Sequence, residues 1–353
     1  MKKIILLSIA ICLSFTFTAQ ELQNFKPKNY TYGLKNLRKN PKKIYIANFN
    51  VNIQVYKDAQ DKKVGSKDYR KGKVVGDAKA VAAVGLGTLD KKLVQRKVNQ
   101  LYNDYLTELK NNGFEVISSE VAGKTSSYDG WTKAEGPFVK ESEIPGVVKI
   151  VPENYSYYYK EQSKFKNKLF KKLRVNANIS STISKELDNA LVSDIELYFL
   201  FTEDGAKDWL KGNAAKVKIN VNYRLINATA VTNIKKNKGL FSVGSKTTDR
   251  VNSRVDFTQG KNNIGGSALS FYSGILKNDL EISGVMKKEK IVAYQRQDTD
   301  RITSFKNFAI AEDKISKNVN IINVDSNKFS EGFYMAGKEF IFYHLNEVLK
   351  NYK

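Results

Sequence analysis

Val217, Ile219, Val221, Tyr223 and Leu225 alternate without a break with Lys218, Asn220, Asn222 and Arg224. A period of two sends one set of side chains into a core and the other into water, so this segment is a strand in a sheet with one wet face. The pattern extends to Val231 and returns through 235–239 as a hairpin over 240–243 and beyond, with Val251, Val255 and Phe257 continuing it. A second hairpin is expected to join 280–285 to 291–294 through 287–290, and 319–324 reads as a last short strand. The chain then closes on a helix from Lys328 to about Leu349. Its Phe329, Phe333, Ala336, Phe340, Ile341, Leu345 and Val348 recur at helical spacing and face inward.

The first half reads differently. Ile44 and Ile46 alternate with polar neighbours, and Val51, Ile53 and Val55 resume after Asn50 with the parity shifted by one, as a β-bulge produces. Residues 57–75 are rich in Lys and Gly and read as a loop, followed by a run of Ala, Val and Gly over 78–89. A helix from Thr88 or Asp90 to Asn112 carries Val94, Val98, Leu101, Tyr105 and Leu109 on one side, widened by Tyr102 and Leu106. Gly113 stops it and 114–117 starts a strand, giving a βαβ-like unit within 43–117. Residues 118–152 read as a long loop or small insertion around Trp131, Ile183, Leu187 and Leu191 mark an amphipathic stretch, and 194–202 is an apolar strand. The expected fold class is α/β to α+β: a mixed sheet with packed helices, and long antiparallel strands or hairpins in the C-terminal half.

Apolar residues make up 41% of the 353 positions, enough for a substantial core, which excludes a disordered chain. The single cysteine, Cys12, excludes a disulfide scaffold and a zinc ribbon, and the single histidine, His344, removes most histidine chemistry. No metal or cofactor is expected. Lys2 and Lys3 precede an apolar or small run from Ile4 to Phe17 that ends at Thr18-Ala19-Gln20. That describes a secretory signal peptide over 1–19. The rival, a lipoprotein acylated on Cys12, needs a small residue where Ile11 stands. Residues 20–41 then form an extended basic arm. Residues 42–353 form one large or two-lobed α/β domain with a lobe boundary near 205.

The net charge of +23 comes from lysine, with 50 Lys against 9 Arg. Arginine is the residue suited to bidentate phosphate recognition, so this balance, behind a signal peptide, argues against a nucleic-acid partner. It fits compositional drift together with attraction to anionic envelope polymers or lipid headgroups. Gly85-Leu86-Gly87 before a helix has part of a dinucleotide fingerprint, but Asp90 stands at the third glycine and no strand is expected directly before it, so no nucleotide site is assigned. His344 reads as a packed, hydrogen-bonded residue or as a general base without a partner nucleophile. Loop acids Asp129, Glu141, Glu143, Glu203, Asp204, Asp298 and Asp300 are the acid–base groups available to a carbohydrate-active enzyme, which needs two of them to converge.

The most unusual segment is 155–174. Tyr155, Tyr157, Tyr158 and Tyr159 lead into a stretch with Phe165, Leu169 and Leu173 every four residues and with Lys160, Lys164, Lys168 and Lys171 among its seven basic groups. Aromatics beside a basic amphipathic helix suit a headgroup interface or a stacking platform for an anionic polymer, with Trp131 adding aromatic surface. The other reading is a lysine-faced surface helix with the tyrosines in a strand core.

Lys43-Ile44-Tyr45-Ile46-Ala47-Asn48-Phe49, the helix ending Leu106-Thr107-Glu108-Leu109, Gly113-Phe114-Glu115-Val116-Ile117 and the long strand 217–227 resemble the periplasmic α/β domain of curli-type secretion channels (CsgG-like) and the TolB amino-terminal domain. The resemblance covers about a third of the chain and implies the strand–helix–strand fold. A lipoprotein cysteine and an apolar membrane hairpin do not accompany it, so pore formation is not carried over. The expected function is that of a non-catalytic exported envelope protein. It would belong to an outer-membrane or periplasmic assembly or secretion apparatus, or bind an anionic polymer or lipid headgroups, with peripheral membrane contact and homo-oligomerisation compatible with either. The alternatives are a secreted carboxylate-dependent carbohydrate-active enzyme and an adhesin or filament subunit.

Overall fold

The computed structural model describes residues 22–141, 144, 146–160, 177–205, 212–235, 245–301 and 314–352. The signal-peptide segment, Lys164, Lys168, Lys171 and the expected return strand 240–243 lie outside the described residues. The elements used below are, in order, strands β1 (Pro27–Tyr32), β2 (Lys43–Gln54), β3 (Tyr56–Lys63) and β4 (Ala78–Gly87), helix α1 (Lys91–Asn111), and strands β5 (Glu115–Ile117), β6 (Val147–Val151) and β7 (Ser156–Tyr159). Helix α2 (Ala177–Glu186), strands β8 (Leu191–Asp204), β9 (Ala214–Leu225), β10 (Arg254–Gln259), β11 (Ser270–Leu276), β12 (Glu289–Arg296) and β13 (Lys314–Asn323), and helix α3 (Ser326–Leu349) follow. The fold is mixed α+β, with packed helices and long antiparallel strands in the second half, as expected.

The axis of the main sheet is β8, which pairs in parallel with β2 on one side. On its other side it pairs antiparallel with β10 along its first half and with β9 along its second. Strand β11 joins β10, and β1 covers the far edge, so the basic arm runs as an edge strand. Strands β8 and β9 flank position 205 and pair with each other, so one sheet crosses the expected lobe boundary. The bulge is present: Ile46 faces Ser193 while Asn48 faces Asp194, leaving Ala47 as the extra residue. That single insertion keeps Ile44, Ile46, Phe49, Val51 and Ile53 in one core.

Helices α1 and α3 pack side by side on one face of this sheet. Phe333 meets Phe199 at 5.7 Å and Phe329 stacks on Tyr223 at 4.5 Å between ring centroids. Both helices start alike: the Asp90 carboxylate accepts from the Lys92 and Leu93 amides, and Asp325 from Asn327 and Lys328. Each follows one of two adjacent parallel strands, β4 and β13, and the two turns are tied together. The Thr88 hydroxyl donates to the Val324 carbonyl (2.9 Å), Ser326 Oγ donates to the Thr88 carbonyl (2.7 Å), and the Asp90 amide donates to Ser326 Oγ (2.8 Å).

Three expectations fail. Residues 57–75 are not a loop: they hold β3 and the short strands Ser66–Asp68 and Lys73–Val75. Strand β3 lies beside β4, whose Ala78, Ala80, Ala82 and Val84 carry the apolar face onto Ala215, Val217 and Ile219 of β9 and Ile291 and Ala293 of β12, so β3 itself can stay polar. Of the two readings of 118–152 the long loop fails, since the stretch contains strands Thr132–Glu135, Phe138–Glu141 and β6. Finally, Leu280–Ile282 and β12 do not pair as a hairpin. They lie end to end along β9, against Arg224–Leu225 and Ala214–Val221 respectively, because one twelve-residue strand offers an edge to both. No helix among the described residues is long and apolar enough to cross a membrane.

Candidate binding pocket

At Val55 the chain leaves the main sheet and turns into β3 of the smaller sheet formed by β3, β4 and β13. The corner is held by backbone bonds: the Val55 and Tyr56 amides donate to the Gly146 carbonyl (2.8 and 3.1 Å), and the Leu86 amide donates to the Val55 carbonyl (3.0 Å). Gly146 is required there, since its φ is +79° and a Cβ would stand 2.2 Å from the Tyr56 carbonyl oxygen. Two sheets that part at a corner leave a wedge, and the first turns of α1 fill it only in part. The result is a cavity of about 710 Å³. That lies within the roughly 300–1,000 Å³ typical of small-molecule sites.

Its walls are Ile53 and Val55 from the end of β2, Leu86 and Leu89 around the β4–α1 turn, Val94 on α1, and Val147, Val148 and Ile150 on β6. Tyr56 and Gly146 complete the lip. Thr88, Lys91 and Gln95 are its polar side chains. Thr88 sits at φ +59°, an uncommon setting for a β-branched residue, held by its hydroxyl's bond to Val324. Lys91 is exposed and forms no ion pair among the described residues. Gln95 uses its Nε2 to donate to Asn99 Oδ1 (2.9 Å) and the Val151 carbonyl (3.0 Å), while its buried Oε1 has no hydrogen-bond partner.

The tyrosine segment turns inward. Tyr155 and Tyr157 are buried, and the Tyr155 hydroxyl donates to the Ile46 carbonyl (3.2 Å). Tyr158 stacks on Tyr128 at 4.3 Å and donates to the Ser119 carbonyl (3.1 Å), and Trp131 meets Tyr128 edge-on at 5.5 Å. These rings build a core seam. Among the described residues only Tyr159 and Lys160 of the segment stand exposed, so a surface platform of four tyrosines and Trp131 is not formed.

The expected acids go to local tasks. Glu203 pairs with Arg224 (3.1 Å) and Asp204 with the buried Lys57 (2.9 Å). Asp129 is exposed, and the side chains of Glu141, Glu143 and Asp300 lie outside the described residues. A different set of acids does converge, on the sheet face opposite α1 and α3. Arg254 is bound by Asp194 (2.8 Å), Glu196 (3.5 Å) and Asp256. Asn48 Nδ2 donates to Asp194 (2.9 Å) and Ser273 Oγ to Asp256 (2.6 Å), in one row across four neighbouring strands. Burial pushes the Asp256 carboxyl above the usual carboxylate range, with Asp194 adding to the shift and Arg254 opposing it. The sequence signal was alternation: Asp194-x-Glu196, Arg254-x-Asp256 and Asn48-x-Asn50-x-Asn52 each put polar groups on one face.

Gly85-Leu86-Gly87 ends strand β4, so a strand does lead into this turn, contrary to expectation. Asp90 nonetheless occupies the amides that a phosphate would use. His344 is buried, its Nδ1 2.7 Å from the Tyr272 hydroxyl. No cluster of His, Cys, Asp and Glu among the described residues is arranged to hold a metal ion. Comparison with protein-family models, with curated proteins and with solved structures returns no match.

Proposed function

We propose that this protein is a non-catalytic, exported component of the cell envelope that works by binding. The observation that carries this reading is the cavity at the sheet corner: mostly apolar walls with Thr88, Lys91 and Gln95 as the polar residues of its lining are the features of a ligand site. The apolar run behind Lys2 and Lys3 and the lysine excess support an envelope setting. The acids that converge share Arg254, an arrangement suited to a structural network more than to the open carboxylate pair of a carbohydrate-active enzyme. A role in an outer-membrane or periplasmic assembly, with other proteins or anionic polymers as partners, belongs to the same proposal.

The test is expression of the full chain in a Gram-negative host, fractionation, and mass spectrometry of the intact product. Recovery from the periplasm or outer-membrane fraction with cleavage after Ala19 is expected. A cytoplasmic, unprocessed product would overturn the envelope reading.

A further inference from the structure

The far edge of the main sheet is open. Strand β1 pairs with β11 on one side, and among the described residues no strand lies outside it. The Lys277 amide donates to the Lys26 carbonyl (2.8 Å), so Lys28, Tyr30 and Tyr32, in step with Lys26, spend their backbone groups on β11. The N–H and C=O groups of Asn29 and Thr31, and the Pro27 carbonyl, therefore point outward, where an added strand takes them.

The side chains along this edge share one character. Tyr30 and Tyr32 are exposed on one face of β1, and the Lys28 ammonium lies over the Tyr30 ring at 4.7 Å. Lys26 precedes them on the same face, and Lys35, Arg38 and Lys39 stand exposed on the 3-10 turn Leu34–Lys39 that follows. No Asp or Glu occurs between Glu21 and Asp58. These five cations form no ion pair among the described residues. The carboxylate in the same row as Tyr30, Asp256 two strands in, is held by Arg254.

Such an edge repels a second copy of the same chain, since lysine would face lysine, and edge lysines and prolines commonly serve that end. The same charges favour a strand of opposite sign. We infer that β1 is the docking edge for an acidic, extended segment of another protein, which adds to the main sheet as a further strand. Its main chain bonds to Asn29 and Thr31, its carboxylates face Lys26 and Lys28, and its side chains lie beside Tyr30 and Tyr32. Strands β11, β10 and β8 separate this edge from β2 and the cavity, so the assignment rests neither on the cavity nor on export.

The test is calorimetric titration of the purified chain with a blocked octapeptide of alternating valine and glutamate, combined with amide hydrogen exchange. The same peptide N-methylated at every residue, its lysine counterpart and dextran sulfate are the comparisons. Saturable one-to-one binding of the acidic peptide is expected, with slowed exchange at the Asn29 and Thr31 amides. Lys26→Glu together with Lys28→Glu should weaken it by about tenfold or more, since two exposed attractions become repulsions. Thr31→Pro removes an outward N–H and leaves the ladder to β11 intact, as Pro27 already does in the same register. It should keep the urea midpoint of the parent and abolish binding. Absence of saturable binding, or its retention in Thr31→Pro, would overturn the assignment. Equal binding of the N-methylated peptide or of dextran sulfate would overturn it in favour of general polyanion attraction. Sedimentation showing self-association that Thr31→Pro removes would overturn it in favour of a second copy.

Discussion

His344 is the chain's single histidine, and its burial makes stability fall in mildly acidic solution. Its ring is fully covered on α3, edge-on to Phe340 (4.8 Å) and Tyr343 (5.2 Å), with Nδ1 against the Tyr272 hydroxyl. Burial lowers its pKa from the usual 6.5 to about 4, opposed by a backbone bond and by the charge of Glu347. A proton therefore binds the unfolded chain first, so the contribution is present above pH 6.5 and is lost as pH falls towards 4. Linkage gives a loss of about 2 kcal/mol between pH 7 and pH 5, and about 3 kcal/mol by pH 4. Asp77, Asp104, Glu186 and Glu281 have carboxyl pKa values below their usual range in the folded state, so their losses come at lower pH. The raised Asp256 acts in the opposite direction but is common to parent and variant, and cancels. Urea unfolding at pH 7, 6 and 5 should show the parent losing about 2 kcal/mol more than His344→Gln, which is itself less stable at pH 7. Equal losses in the two proteins would refute the assignment.

Two further predictions concern the packing. A Cβ on Gly274 would lie 2.3 Å from the His344 ring, which Phe340 holds in place, so Gly274→Ala should lower stability by about 1–3 kcal/mol, read from the urea midpoint. Arg254→Ala leaves Asp194, Glu196 and Asp256 without their shared cation and should cost about 3–5 kcal/mol at pH 7, less at pH 5, whereas Asp256→Asn should cost under about 1 kcal/mol. Tolerance of Arg254→Ala at the level of a surface substitution would show that the network is not needed.

What was legible was what is local. Helix α1 announces itself through Asp90, its three- and four-residue apolar spacing and Gly113, and α3 does the same, because caps and periodicity act within a few residues. Strand β3 was hidden because its apolar requirement is met by alanines on β4, so its own Lys57, Asp58 and Gln60 read as a loop. The pairing of Leu280–Ile282 and β12 depends on the length of β9, which no local pattern encodes. The tyrosines show the same limit: period two in 155–159 is visible, but which side faces the core is decided by Tyr102, Tyr128 and Ile46. The pocket draws its walls from three separate stretches, and the unmatched oxygen of Gln95 exists only once they meet.

The tie between the two strand–turn–helix units also has a consequence in time. Strand β4 waits for β13, whose residues lie 236 positions later, and Thr88 waits for Val324. Until residues 314–349 have been made, α1 has no neighbouring helix and the aromatic face of β8 and β9 stays uncovered. A ribosome that has delivered three quarters of this chain has delivered β8 with its partners β2, β9 and β10, but nothing that can cover the face on which α3 comes to sit. Such a chain stays incompletely closed, with apolar surface open to a chaperone, until its C-terminal segment is made. A chain not yet closed is also what threading a polypeptide through a narrow export channel requires.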